Sequence, residues 1–247
     1  MTTPETALRG ALRDLLGLVL PVSCGLCGQR DRGLCDGCVG QLSASLMPGP
    51  VRDLSAVGLP VYAAGRYRGR LRRLILLAKD GGRRDLLTPL ATVLAAGLRA
   101  AVNNATPSAW SSDEADGGRL CLVAVPSRPG SERARGYRHV EVIARRAAGE
   151  FLPTPPDLSL LRALSTDRGR VDQVGLSRAA RLHNGALTVP RFGRTRALSG
   201  RRVWLIDDVA TTGASLAGAH RALRQSGASV ECAVVCAAVN RSEERVS

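Results

Sequence analysis

Lysine is nearly absent from this chain: among 35 Lys and Arg residues, Lys79 is the sole lysine. Positive charge is therefore carried almost wholly by guanidinium, a planar fork of donors that suits phosphate. Aromatic residues are as scarce, two Phe, two Trp and three Tyr in 247 residues. That scarcity excludes a broad base-stacking platform and leaves Tyr62 and Tyr67 as candidates for a small one. The N-terminal stretch also lacks an apolar run long enough to span a bilayer. Arg9, Arg13 and Asp14 interrupt it, and Pro21 stands where a lipoprotein signal needs an aliphatic residue. The expectation is a cytoplasmic protein without membrane insertion. A reducing compartment would leave its seven cysteines as metal ligands or core thiols rather than disulfides.

What is present is an apolar content of 45% and a formal charge of +14, from 35 basic residues against 21 acids. The apolar share is enough for one α/β domain with a small addition. The charge suits an anionic partner, although a solvated surface explains much of it. Thr3-Pro4-Glu5 reads as a helix start, followed by Leu8, Leu12, Leu15, Leu16 and Val19 at helical spacing. Residues 39–60 read as a connector, so the expected division is 1–60, a helix and a cysteine finger, and 61–247, the main domain. Within the latter, Val61 to Tyr67 suits a strand, Leu71, Leu74, Ile75 and Ala78 one helix, and Leu86, Leu90, Leu94 and Leu98 another. Residues 103–118 lack periodicity and read as a flexible loop. From Leu120 onward, short apolar runs alternate with helical stretches, the pattern of a mostly parallel sheet flanked by crossover helices. Its candidate strands are Leu120 to Val125, Leu160 to Ala163, Ala186 to Val189, Arg202 to Ile206 and Val230 to Val239. Its helices are His139 to Glu150 and Ser215 to Gln225.

Cys24 and Cys27 form one C-x-x-C pair, and Cys35 and Cys38 another. Two thiolates three residues apart grip one metal while the backbone turns beneath them, and two such pairs close a tetrahedral shell. A shell with no open position makes the ion, read as zinc, structural. A redox dithiol, an iron–sulfur centre and a disulfide framework are the rival readings. A thioredoxin-like dithiol needs only one pair, in a βαβ setting that this segment lacks. Cys121, Cys232 and Cys236 lie inside apolar strand candidates and read as packed thiols.

The most informative stretch runs Val203-Trp204-Leu205-Ile206-Asp207-Asp208-Val209-Ala210-Thr211-Thr212-Gly213-Ala214-Ser215. An apolar strand ends at two acids, and a small-residue loop leads into a helix whose free amides attract anions. The hydroxyls of Thr211, Thr212 and Ser215 add donors, while Gly213 lets the backbone come close. Two carboxylates would repel a phosphate, but they suit the hydroxyls of a neighbouring ribose. The stretch is no Walker loop, since Gly-Lys-Ser/Thr is missing, and no Rossmann fingerprint, since Gly-x-Gly is missing. A solvated acidic pair before an ordinary helix start is the plain alternative.

This stretch resembles the phosphoribosyl-pyrophosphate motif of type I phosphoribosyltransferases. Together with the cysteine knuckles, the Lys79 to Arg84 segment, the Pro126 loop and Arg135-Gly136-Tyr137, it resembles the ComF family over roughly Leu8 to Asn240. The resemblance implies a type I phosphoribosyltransferase-like α/β fold carrying an N-terminal zinc finger. It implies phosphoribosyl pyrophosphate, with magnesium, as ligand, and a link to DNA uptake or nucleotide metabolism. Val123-Ala124-Val125-Pro126-Ser127-Arg128 resembles the pyrophosphate-holding strand and loop. Arg128, Arg133 and Arg135 could neutralise a leaving group, though a solvated basic loop explains any one of them equally well. The expected phosphoribosyl-pyrophosphate site is thus Asp207 to Ser215 with Ser127 and Arg128, and the expected catalytic residues are Asp207, Asp208 and Arg135. Where the family reads Arg-Gly-Tyr-Asn-Gln, this chain has Arg138 and His139 after the tyrosine, and Arg138 offers donors only where an amide offers donors and acceptors together. Gln173, Leu176, Ser177, Arg181 and Asn184 match a later segment resembling a lid.

Two functions are carried forward. In the first, pyrophosphate is displaced from the anomeric carbon by an acceptor that no residue identifies. In the second, the sugar-phosphate pocket serves a non-catalytic, nucleic-acid-associated protein that binds single-stranded DNA. The basic runs Arg66 to Arg73 and Arg191 to Arg202 support the second.

Overall fold

The computed structural model describes residues 23–30, 33–104, 120–127, 129–150, 158–166, 188–190, 198 and 201–239. The expected helix over residues 3–19, loop residues 105–118, the Gln173 to Asn184 segment and Arg128 lie outside them.

The apolar spacing of each helix sets which side it buries. Helix α1 (Asp36–Ser45) is short and buries only Cys38 and Leu42. Helix α2 (Gly69–Lys79) buries Leu71, Leu74, Ile75 and Ala78, and stops at Asp80 before a glycine pair. Helix α3 (Leu87–Asn104), the longest among the described residues, forms with the turn before it a span, Arg84–Asn104, apolar enough to cross a bilayer by length and composition, yet 61% of its apolar window is buried inside the fold. Gly97 lets it lie flat: a Cβ there would stand 3.3 Å from the backbone of Ala64 and of Val235. Helix α4 (Pro129–Arg135) occupies a stretch read from sequence only as a basic loop. Helix α5 (His139–Glu150) has the expected bounds, and α6 (Ala214–Gln225) begins one residue earlier than expected.

The strands are β1 (Gly49–Pro50), β2 (Val61–Arg66), β3 (Leu120–Ala124), β4 (Ser159–Leu161), β5 (Leu164–Thr166), β6 (Thr188–Pro190), β7 (Arg202–Ala210) and β8 (Ser229–Ala238). Six of them form one sheet in the order β1-β2-β8-β7-β3-β4. All its pairings are parallel except β1 with β2. Two expectations need correction. Of the Leu160 to Ala163 run only Leu160 and Leu161 are strand, in β4, with β5 starting beyond it at Leu164, and β6 leaves the main sheet to pair antiparallel with β5. Pairing, rather than apolarity, decides which sheet so short a run joins.

Alternation along the central strands separates two cores. Trp204 and Ile206 pack with α2, α3 and α5 on one face, whereas Val203 and Leu205 pack with α6 and the helical turn Arg52–Val57 on the other. The cysteine segment belongs to the first core, since Cys24, Leu26, Leu34, Cys38 and Leu42 share that cluster with α2 and α3. The chain is thus an α/β fold with a mostly parallel mixed sheet flanked by helices and an N-terminal cysteine cluster.

Candidate functional site

Strand β7 does not end before its acids, as expected, but continues through them to Ala210. Asp207 and Asp208 are buried at 9% and 2% exposure. What makes this burial tolerable is Lys79, at the C-terminal end of α2, whose Nζ lies 2.6 Å from Asp208 Oδ2. Burial alone would raise the Asp208 pKa, but Lys79 outweighs it and the net direction is down. Lys79 is moved up in turn: burial opposes its charge, and the Asp208 carboxylate restores it. Asp207 is raised well above the ordinary carboxylate range by burial first and by its charged neighbour second. Its Oδ1 accepts the Asp208 backbone N–H at 2.8 Å.

Two further side chains converge here. His139, the first residue of α5, is fully buried with Nε2 3.6 Å from Asp208 Oδ2. Burial holds its pKa down to about 4, with the cations Lys79 and Arg135 adding to the effect and Asp208 opposing it. It is therefore a neutral imidazole at physiological pH. Neither ring nitrogen has a hydrogen-bond partner among the described residues. Arg135, at the end of α4, has a side chain only 9% exposed. Its NH1 donates to the Lys79 carbonyl at 3.2 Å, while Nε and NH2 have no partner among the described residues. Such buried orphan donors point to a missing acceptor. Arg138, by contrast, turns away from this cluster. It pairs with Glu132 at 3.5 Å and Glu141 at 3.1 Å, and Glu141 also binds Arg162.

Beyond Ala210 the chain turns through exposed Thr211 and Thr212 into α6, with Ala214 and Ser215 also exposed. Thr212 Oγ1 accepts the Ala214 N–H at 3.3 Å. Gly213 has φ +76, and a Cβ on it would stand 2.6 Å from Val57 Cγ2. Glycine is thus required by backbone conformation and by packing against the Arg52–Val57 turn, before any ligand is considered. Ser127 follows β3, the strand beside β7, where the Val125 N–H donates to the Ile206 carbonyl at 2.8 Å. The cluster and turn therefore share the carboxyl end of the parallel sheet, the usual ligand side of open α/β sheets.

The fold brings Asp207, Asp208, Arg135 and the 209–215 turn to one place, beside Ser127. Sequence reasoning gave Lys79 little weight and treated His139 only as a replaced amide. The signal for Lys79 was its singularity among arginines. The basic runs fare differently. Arg202 is held in a two-point pair by Glu231, Nε to Oε1 at 2.5 Å and NH2 to Oε2 at 2.9 Å, and Trp204 Nε1 donates to the same carboxylate at 3.0 Å. That clasp sits at the amino end of β7, away from the acids. Arg70, Arg72 and Arg73 are exposed near the start of α2, and Arg72 lies 5.8 Å over the Tyr67 ring.

The four N-terminal cysteines form a second constellation. The backbone turns back between Cys24 and Gly28, whose N–H donates to the Cys24 carbonyl at 2.9 Å. Cys35 caps α1, and Cys38 lies in its first turn. All four sulfurs lie within 4.8 Å of one another. Cys27 and Cys35 Sγ are 3.6 Å apart, close to the ~3.8 Å edge of a tetrahedron with Zn–S bonds of about 2.3 Å. Burial opposes the Cys24 thiolate, but N–H groups of Cys35, Cys27 and Leu26 outweigh it and bring its pKa to about 6. The set fits a structural metal site.

No family model matches this chain, and a search of curated proteins finds no similar one.

Proposed function

We propose that this chain is a ComF-family protein of type I phosphoribosyltransferase-like fold, which binds phosphoribosyl pyrophosphate at the carboxyl ends of β7 and β3. The observation that carries the reading is the buried Asp207-Asp208 pair running directly into the Thr211-Thr212-Gly213 turn and the N-terminus of α6. Phosphate suits the turn, where amides of the first helical residues and the Thr211, Thr212 and Ser215 hydroxyls donate, and the helix dipole favours negative charge. The ribose hydroxyls suit the acids. For one of them to reach Asp208 Oδ2, the Lys79 ammonium must yield its position on that atom.

The remaining donors fit the departing diphosphate. Arg135 offers Nε and NH2, and Lys79, released from Asp208, adds a mobile cation beside it. As an acceptor nucleophile bonds to the anomeric carbon and the bond from that carbon to the diphosphate oxygen breaks, the ring gains positive character, which the Asp207-Asp208 pair offsets, while Arg135 meets charge on the leaving group. Magnesium, carried on the substrate's oxygens and water, would supply further charge neutralisation. The neutral His139 excludes water from the floor of the cluster and adds no charge to it. The cysteine cluster is assigned to zinc, with a structural role, and the chain to the cytoplasm.

Titration calorimetry with phosphoribosyl pyrophosphate and magnesium tests this. The wild type should bind, and Asp207→Asn with Asp208→Asn should weaken binding at least tenfold, since each charged hydrogen bond is worth roughly 1.5–3 kcal/mol. Wild type that fails to bind sinks the proposal, as does an unchanged double variant.

A second reading, phosphate-backbone binding by single-stranded DNA, draws on a hollow of about 470 Å³ between α1 and the start of α2. Arg66, Arg68, Arg70, Gln41 and Met47 line it. Such binding should weaken steeply with salt. A filter-binding series that shows equal affinity at low and high salt removes this reading.

A further inference from the structure

The cysteine knuckles and the acidic cluster are joined by one turn, residues 80–86. Arg83 stands at its centre. Its NH2 donates to the Ser23 carbonyl at 2.9 Å and, more weakly, to the Gly33 carbonyl at 3.4 Å. These carbonyls flank the two metal-ligand pairs, Ser23 directly before Cys24 and Gly33 two residues before Cys35. The guanidinium is fixed in turn by Asp85, with Nε to Oδ1 at 2.9 Å and NH2 to Oδ2 at 2.7 Å. The knuckle backbone sits hard against this turn. A Cβ on Gly33 would fall 2.2 Å from Asp85 Oδ2, and one on Gly25 would stand 3.1 Å from both Leu77 and Leu86.

The other side of the same turn builds the pocket. Arg84 donates to the Arg135 carbonyl at 3.0 Å and lies 4.7 Å over the Tyr137 ring. Tyr137 OH donates to the Ala78 carbonyl at 3.4 Å, and Arg135 donates to that of Lys79 at 3.2 Å. Lys79 then reaches Asp208. Apart from the chain links Ser23–Cys24 and Arg83–Arg84, each step is a direct contact, and the path runs from the carbonyls beside the cysteines to the Asp208 carboxylate.

We propose that the loaded cysteine site is a positioning element of the pocket, and that Arg83 is the residue through which it acts. Metal bound by the four thiolates fixes the Ser23 and Gly33 carbonyls, these fix Arg83, and the turn holds Arg84, Arg135 and Lys79 in register with Asp208. Loss of the metal frees both carbonyls, and the turn loses its anchor. Binding at one site is thereby coupled to order at the other. This rests on the reading of the Lys79–Asp208 cluster as the ligand pocket. The test below uses no ligand, so failure of the coupling and failure to bind phosphoribosyl pyrophosphate are separate results.

The experiment is amide hydrogen exchange on the full chain, followed at residues 79–86 and 135–142, in three forms: zinc-loaded, chelator-stripped and zinc-loaded Arg83→Gln. Stripping should speed exchange at least tenfold in both windows, the second of which lies far from every cysteine ligand in sequence. Because stripping also threatens the whole core, Arg83→Gln is the deciding arm. It should keep one zinc per chain by elemental analysis and still show the faster exchange, with Arg83→Lys recovering part of the protection. The proposal is overturned if Arg83→Gln exchanges like wild type, or if it loses its zinc, which would make Arg83 a builder of the knuckle rather than its link to the pocket.

Discussion

Asp208 keeps its charge in the interior because one flexible ammonium reaches it, and that dependence makes Lys79 and His139 the residues to perturb. Asp208→Asn leaves Lys79 without its counterion. Losing one partner of a fully buried pair costs 3–5 kcal/mol, but Lys79 is 33% exposed and water compensates it in part, so a loss of about 2 kcal/mol is expected in urea unfolding. For His139, a folded pKa of about 4 against an ordinary 6.5 means that the folded state binds fewer protons between those values. Its contribution is present above pH 6.5 and is lost as pH falls towards 4. Between pH 7 and pH 5 wild type should lose about 2 kcal/mol more than His139→Gln. Asp207 opposes this, since a carboxyl with a raised pKa takes up its proton more readily when folded. Asp208, with its lowered pKa, acts only below the ordinary carboxylate range. Urea midpoints that fall equally in both proteins would show that His139 is not held neutral. The acid pair was conspicuous in sequence, but its neutraliser was not. Lys79 comes from helix α2, far from strand β7 in sequence, and nothing local to Asp208 requires it.

The meeting of β7 and α6 depends on Gly213, where backbone conformation and packing make separate demands. Gly213→Ala places a Cβ against Val57 Cγ2 at 2.6 Å and imposes φ +76 on a residue that disfavours it. A cost of about 2–4 kcal/mol follows, part conformational and part steric. Val57→Ala removes the obstacle at a cavity cost of its own, so Gly213→Ala in the Val57→Ala background should cost only about 1 kcal/mol, the conformational share. Denaturation of the four proteins of that cycle checks this, and strict additivity would refute the contact. The same junction shows what periodicity can and cannot reveal. Helix α5 has its expected bounds because Val140, Ile143, Ala144 and Ala147 repeat at helical spacing and all are buried. Strand β7 was cut short in the sequence reading because carboxylates ordinarily mark a solvated end. Here Val209 and Ala210 keep pairing with β8 through Ala237 and Ala238. Helix α4 was missed because Pro129-Gly130 reads as a turn when its partners are unknown.

Across the whole molecule, the cysteine segment was expected as a finger preceding a domain at residue 61, and its side chains share a core with α2 and α3. Cysteine spacing reveals ligands but not what the knuckles rest on. Cys27→Ser should therefore lose the metal and lower the melting temperature of the entire chain in one transition. Two separate transitions by calorimetry would mean that the segment melts alone. The borders of the main sheet carry a different consequence. Strand β1 has two residues, and the Val51 N–H donates inward to the Val61 carbonyl at 2.8 Å. Alternation then aims the position of the Pro50 nitrogen outward, where it carries no hydrogen. An incoming strand finds no donor there. A sheet built of Val, Leu and Ala runs is a ready template for its own kind, and a two-residue edge strand ending in an imino acid blunts this rim against such pairing.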